Sequence, residues 1–153
     1  MERSMTVKFK RMKEGAVVPK YKTLQSAGCD LYTCEDTVVH EGRNLVKLGF
    51  GIQLPVGTEA QVRPRSGCSI NGMPTDLEQI NADADVLLGT IDADYRGECG
   101  VIIKSTETFT IPKGTRIAQM VISKFERAEY EEVDTLDEGG DRGTGGFGST
   151  GVK

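Results

Sequence analysis

The stretch Asn44-Leu45-Val46-Lys47-Leu48-Gly49-Phe50-Gly51-Ile52-Gln53-Leu54 is followed by Pro55-Val56-Gly57 and then by Glu59–Arg65 (EAQVRPR). Apolar residues recur every second position on both sides of a Pro-Val-Gly turn, which is the period of strands with one buried face. Working outward, Cys99–Ser105 (CGVIIKS) and Arg116–Phe125 (RIAQMVISKF) are short runs rich in β-branched residues, with turn chemistry between them at Ile111–Gly114 (IPKG). Thr6–Arg11 and Glu129–Asp134 read as edge strands at the two ends. No segment keeps a 3.6-residue period for three turns, and a single turn at Ser66–Gly72 is the best helical candidate. Many short strands at turn-bounded intervals predict an all-β fold, a sandwich or jelly roll.

The chain has 153 residues and a net charge of −4. That length suits one domain, which buries roughly 70% of the unfolded chain's surface on folding. The acidic balance argues against a broad nucleic-acid-binding surface, so no nucleic-acid partner is expected. No apolar run approaches a membrane span, and Met1–Lys13 lacks the hydrophobic segment of a signal peptide. Four cysteines without a CxxC, and one His, speak against structural zinc and for reduced thiols in a cytoplasmic protein.

Charge is uneven along the chain. Met1–Lys22 is basic, whereas Glu126–Asp141 holds eight acids and one base, Arg127. Gly139–Gly151 then packs seven glycines into 13 residues, a composition unable to bury enough apolar surface to order itself. The expected organisation is a domain over residues 1–136, with an excursion around 70–88, and a mobile arm over 137–153.

Five segments carry chemistry. Ala27-Gly28-Cys29-Asp30-Leu31 places an acid after a glycine at a strand start. Pro64-Arg65-Ser66-Gly67 offers a cation, a hydroxyl and a free backbone N–H in succession, a set suited to phosphate. Gly89-Thr90-Ile91-Asp92-Ala93-Asp94-Tyr95-Arg96-Gly97-Glu98 reads as a hairpin, with strand entry at Val86–Ile91 and a return from Cys99. Its alternating N–H and C=O groups can read the edge of a flat heterocycle. If the alternation persists, Asp92 and Asp94 share a face and Tyr95 lies opposite. Arg116-Ile117-Ala118-Gln119 opens a buried strand, with Arg116 read as a structural hydrogen-bonder. Arg142–Gly151 (RGTGGFGSTG) combines glycines that allow close approach to phosphate with donors and one aromatic that needs a stacking partner. It lacks the GK[ST] ending of a Walker A loop.

Taken in order, these segments resemble the five motifs of the homotrimeric dUTPase family, from Ala27 to Gly151. The resemblance implies a jelly roll that cleaves dUTP between the α and β phosphates, in a homotrimer whose three sites each draw on all three chains. It makes Asp92 the base that deprotonates the attacking water, and Tyr95 the ring beneath the deoxyribose that excludes a ribose. Thr90, Ile91 and Gly100 match the backbone that reads uracil. Arg65, Ser66, Gly67 and Gln119 match phosphate contacts. In the arm, Arg142 matches a γ-phosphate contact, Phe147 the ring stacked on uracil, and Gly148 and Ser149 a phosphate cradle. Mg²⁺ is expected on the triphosphate and its waters, with no direct protein ligand and Asp30 next to the ion's water shell.

Two departures accompany the resemblance. The segment between Gly67 and Gly89 is longer than in compact members, and Val86 stands where the family usually carries an Asn that reads uracil. Asn81 is a candidate substitute, the backbone alone another. Two alternatives share the scaffold: a dCTP deaminase, which needs a Glu where Ile102 stands, and a non-catalytic binding or regulatory protein, against which the retained Asp92, Tyr95, Arg142 and Ser149 argue.

Overall fold

A computed structural model describes residues 5–148 and 151. Its strands in chain order are β1 (Lys8–Arg11), β2 (Lys20–Tyr21), β3 (Cys29–Tyr32), β4 (Thr37–Val39), β5 (Gly42–Lys47), β6 (Phe50–Gln53) and β7 (Thr58–Arg63). Helix α1 (Ser66–Asn71) follows. The chain continues through β8 (Met73–Pro74), β9 (Asn81–Ala82), β10 (Ala84–Leu87), β11 (Gly89–Ile91), β12 (Gly100–Ser105), β13 (Phe109–Ile111) and β14 (Arg116–Lys124). The all-β reading holds, and the fold is a jelly roll. The helical turn lies where the sequence placed it, and at six residues α1 is far too short to cross a membrane.

The stretch that opened the sequence reading is two strands in two sheets. β5 pairs with β12 in the order β10-β12-β5, while β6 pairs with β1. The inward period of two nevertheless runs straight through the switch: Val46, Leu48, Phe50, Ile52 and Leu54 are all buried. Gly49 sits at the crossing with φ +81°, and a Cβ there would stand 3.1 Å from Lys13 Cβ. After Pro55-Val56-Gly57, where Thr58 N–H closes on Pro55 O at 3.2 Å, β7 sends Thr58, Ala60 and Val62 inward. It joins the five-stranded sheet β11-β7-β14-β3-β2. Leu31, Leu48, Phe50, Met73, Ile103, Ile111 and Ile117, drawn from several sheets, gather in one core cluster, each essentially inaccessible. Burying one such side chain contributes about 1.5–3 kcal/mol. Thr33, also inaccessible, is fully satisfied: its hydroxyl donates to Pro112 O and accepts from Thr115 N–H.

Three expectations need correction. Thr6–Arg11 is a strand only from Lys8. Glu129–Asp134 forms no strand, and its residues are exposed throughout. Its four acids repel one another, which disfavours pairing with a strand. The excursion around 70–88 is anchored rather than wholly superficial. Met73 and Ala82 pair across the β8–β9 hairpin and lie in the core, while Asp76–Ile80 at its tip are exposed.

Candidate active site

Val86–Ile91 was read as one strand, and the structure divides it. β10 pairs with β12, Val86 facing Ile103 and Leu87 facing Ile102. At Leu88 the chain leaves that sheet, and β11 pairs with β7, Thr90 facing Gln61. An apolar run such as Val86-Leu87-Leu88 suits either sheet, so the crossing is set by tertiary pairing rather than by local sequence. The two sheets diverge there and leave a cavity of about 230 Å³, lined by Thr90, Ile91, Asp92, Tyr95, Glu98 and Gly100 on its polar side. Leu45, Leu87 and Ile102, in register across β5, β10 and β12, form an apolar wall.

At the tip the alternation breaks. Tyr95 N–H donates to Asp92 O at 3.1 Å, closing a turn, and the Tyr95 hydroxyl donates to Glu98 O at 3.0 Å. The ring therefore folds back to line the same cavity as Asp92 rather than pointing opposite to it. Gly97 is required by this fold-back, since a Cβ would stand 2.4 Å from the Tyr95 hydroxyl. The Asp92 carboxylate is exposed and, among the described residues, has no hydrogen-bond or ion-pair partner. It is free to accept from a water. Gly100 opposes Lys47, and a side chain there would collide with Leu45 Cδ1 at 2.7 Å. Its backbone is thereby left open to the cavity. Cys99, also lining it, is buried, and desolvation raises its thiol to about 11. It is protonated and unreactive at neutral pH.

A second group of predicted residues lies on the β3–β14 side. Asp30 faces Gln119 across the strands. Its two oxygens meet two guanidiniums, Arg65 Nε at 3.6 Å and Arg116 Nη1 at 3.3 Å. Arg65 Nη1 also donates to Arg116 O at 3.3 Å. One carboxylate between two arginines leaves a net positive charge on a partly buried cluster, a fit for phosphate. Gln119 donates to Pro64 O at 3.0 Å, and Gly28 makes room for it, because a Cβ there would stand 2.4 Å from Gln119 Oε1. Ser66 and Gly67, with Ser69 and Ile70, line an open hollow on α1 that shares no residue with the Asp92 cavity.

Arg142, Phe147 and Gly148 are exposed and line neither depression, and Ser149 lies outside the described residues. Asn81 is no stand-in for the missing Asn. It sits on β9 and donates to Asn71 O at 3.0 Å, away from the cavity. Sequence reasoning passed over Leu45, Leu87 and Glu98. For Leu45 the signal was present: it is the outward-facing apolar residue of the alternating run, 63% exposed.

The dUTPase family model matches residues 14–151. The chain belongs to the dUTPase family. A relative from Syntrophotalea carbinolica, named deoxyuridine 5'-triphosphate nucleotidohydrolase, is 46% identical over 97% of this chain and 99% of its own length. Among solved structures, a mutant dUTPase of Staphylococcus bacteriophage 80alpha with dUpNHpp superposes with TM-score 0.83 at 23% identity, covering 97% of this chain and all of that one. A mutant dUTPase of phage phi11 of S. aureus, described for its coordination of a structural Mg(II) ion, superposes with TM-score 0.75 at 21% identity over 87% of this chain and 99% of that one. At those identities the likeness speaks for the fold. As a dUTPase-family chain, this one keeps the hairpin-tip Asp and Tyr in a single cavity while lacking an Asn beside them: Val86, at the usual place, is buried in the core.

Proposed function

We propose that this chain hydrolyses dUTP to dUMP and pyrophosphate, and that Asp92 activates the water that attacks the α phosphorus. The observation that carries the reading is the unpartnered Asp92 carboxylate sharing a cavity with Tyr95 and with the bare backbone of Gly100. An in-line displacement at phosphorus needs an oriented water and a base ionised at neutral pH. An exposed carboxylate without a partner among the described residues, lining the cavity, can accept a hydrogen bond from such a water.

Uracil enters against the backbone of Thr90, Ile91 and Gly100, with Leu45, Leu87 and Ile102 as its apolar surround. Tyr95 stands under the deoxyribose as a wall against a 2′-hydroxyl. Steric exclusion suits this task, because a pocket that merely lacks a partner for an added hydroxyl rejects it weakly. With no Asn in the cavity, base reading falls to main-chain groups.

The phosphates are held by residues of other copies in a homotrimer. Arg65, Ser66, Gly67 and Gln119 of a second chain meet the triphosphate, and the fixed Asp30–Arg65–Arg116 cluster presents Arg65 in one orientation. A third chain supplies the arm, residues 137–153: Arg142 for the γ phosphate, Phe147 to stack on uracil, and Gly148 and Ser149 to cradle the phosphates. That Arg65, Ser66 and the arm lie apart from the Asp92 cavity in one chain supports a shared site.

The donor set fits a Mg²⁺ carried in by substrate. Both oxygens of Asp30 are engaged by arginines, so a Mg²⁺ near it would be met through water. Were Mg²⁺ bound with the substrate, Asp30 would lie near its water shell, and the ion would supply charge neutralisation for the leaving pyrophosphate. The chain's own residues orient the nucleotide, exclude the ribose and hold the base. Ile102, where a deaminase needs a Glu, leaves C4 of cytosine without a group to activate water.

The test is hydrolysis of dUTP with Mg²⁺ in ¹⁸O-water. Label is expected in dUMP, the result of attack at the α phosphorus. Label in pyrophosphate, or intact nucleotide, overturns the reading, and conversion of dCTP to dUTP would favour the deaminase.

A further inference from the structure

Glu98 is partly buried beside the cavity, and among the described residues its carboxylate has a single close partner. Oε2 accepts the Gly49 N–H at 2.9 Å. Gly49 is the point where the chain passes from the β5 sheet to the β6 sheet, held in a left-handed conformation and hemmed by Lys13, Ala16 and Cys34. Its carbonyl is fixed as well, accepting Met12 N–H at 2.7 Å and Lys13 N–H at 3.0 Å. Lys13 Nζ approaches Glu98 Oε2 at 4.0 Å from solvent, too far for a direct hydrogen bond. The Glu98 backbone carbonyl, in turn, accepts the Tyr95 hydroxyl at 3.0 Å. Residue 98 thus faces two ways: its side chain grips the sheet crossing, and its carbonyl grips the tyrosine ring.

We propose that Glu98 is a positioning residue that sets sugar discrimination, by fastening the 95–100 segment to the Gly49 crossing so that the Tyr95 ring stands at a fixed height in the cavity. This rests on the reading of Tyr95 as the wall under the deoxyribose. The neighbouring ties are main-chain ones, Cys99 N–H to Phe50 O at 2.7 Å and Leu48 N–H to Cys99 O at 2.9 Å, and they secure residue 99. Upstream of it the chain is joined to the crossing through the Glu98 side chain. A steric wall discriminates only if it cannot yield. A hydroxyl's width of extra room under the sugar is enough to admit a ribose.

The experiment measures kcat/KM for dUTP and for UTP on the full-length chain and takes their ratio. Loss of a charge-assisted acceptor predicts that Glu98→Ala lowers the ratio roughly tenfold. Glu98→Gln, whose amide oxygen can accept the same N–H, is expected to restore it to within about twofold. Tyr95→Phe, which cuts the ring's tie to the Glu98 carbonyl, should lower the ratio similarly, and the double variant no further. Where Glu98→Ala does not fold, Glu98→Asp keeps the charge, loses the reach and should also lower the ratio. Equal losses on both nucleotides, with the ratio kept, would make Glu98 a stability residue and overturn the proposal. A ratio kept in Glu98→Ala but lost in Tyr95→Ala overturns it too. A ratio kept in Tyr95→Ala removes the sugar wall itself, and with it the reading beneath.

Discussion

The tip between Leu88 and Gly100 and the segment from Glu126 to Gly148 both carry residues assigned to one nucleotide, yet they are held in opposite ways. The tip is tied at every turn: Tyr95 to Glu98 O, Arg96 Nη1 to Ala93 O at 2.7 Å, Glu98 to Gly49, Cys99 to Phe50. The arm's last tie to the body is Phe125 N–H to Gly57 O at 3.2 Å. Beyond it, hydrogen bonds among the described residues stay within the arm, as in Gly143 N–H to Gly140 O and Gly145 N–H to Arg142 O. Phe147 is fully exposed, at φ +49°. On the proposed reading, base and sugar would meet a surface whose ordering entropy was met on folding, whereas arm contacts would order as they form. That reading gives selectivity to the first region and closure to the second.

The sharpest test of that division is Asp92→Asn. Removal of a general base predicts a fall in turnover of about 10²–10⁴-fold, with dUTP affinity and melting temperature nearly unchanged. Single-turnover rates beside calorimetric binding separate the two, and retained turnover would reject Asp92 as the base. The counterpart is truncation after Glu138. Because, among the described residues, no hydrogen bond joins the segment beyond Phe125 to the body, its melting temperature should stay put while kcat/KM falls roughly 10²-fold. A truncated chain with full activity would leave the arm outside the mechanism.

Much of this contrast was readable from the sequence, for a physical reason. Inward periodicity survives a change of sheet, so Val46 through Leu54 could be assigned to the core without knowing that Gly49 divides them. Turn chemistry at Pro55–Gly57 and Ile111–Gly114 is local, and both turns form, with Gly57 and Gly114 at positive φ. What depends on a distant partner was not legible. Leu88 leaves β10 for β7 because of Val62 and Ala60, far earlier in the chain. Tyr95 turns back because Glu98 O accepts its hydroxyl. Glu129–Asp134, with Tyr130 and Val133 three apart between acids, pairs with no strand and is exposed throughout. At the candidate site, Thr90, Ile91, Asp92, Tyr95 and Gly100 line one cavity. The Leu45–Ile102–Leu87 wall emerges only from the register of three strands.

Val86 offers a way to break the comparison from the body's side. An Asn introduced there does not reach the cavity, since position 86 points into the core opposite Ile103 and is 6% exposed. Val86→Asn buries an amide without partners and is expected to cost about 1–3 kcal/mol of stability, read in urea unfolding, with no gain in discrimination against dTTP or dCTP. Improved base selectivity in a stable variant would mean that β10 can rotate its faces, and that the body is less fixed than its packing indicates.

The smallest effect concerns pH, and its sign follows from burial. Desolvation lifts the Cys99 thiol from 9.0 to about 11, outweighing the lowering hydrogen bond from Ile52 and assisted by the nearby charge of Glu98. Burial moves Cys29 in the same direction. A group whose folded pKa lies above its unfolded value keeps its proton longer in the folded state. Its contribution is therefore complete below about pH 9 and is lost as the pH rises through 11. For Cys99 that loss amounts to at most about 2–3 kcal/mol. Urea midpoints should fall between pH 9 and 11, and fall less in Cys99→Ala. The chain truncated after Glu138 should show the same fall as the full chain, because the thiols responsible lie in the packed body. Equal falls in Cys99→Ala and the parent would place the alkaline weakness elsewhere, whereas a smaller fall on truncation would show that the arm contributes to stability and that the two regions are not independent.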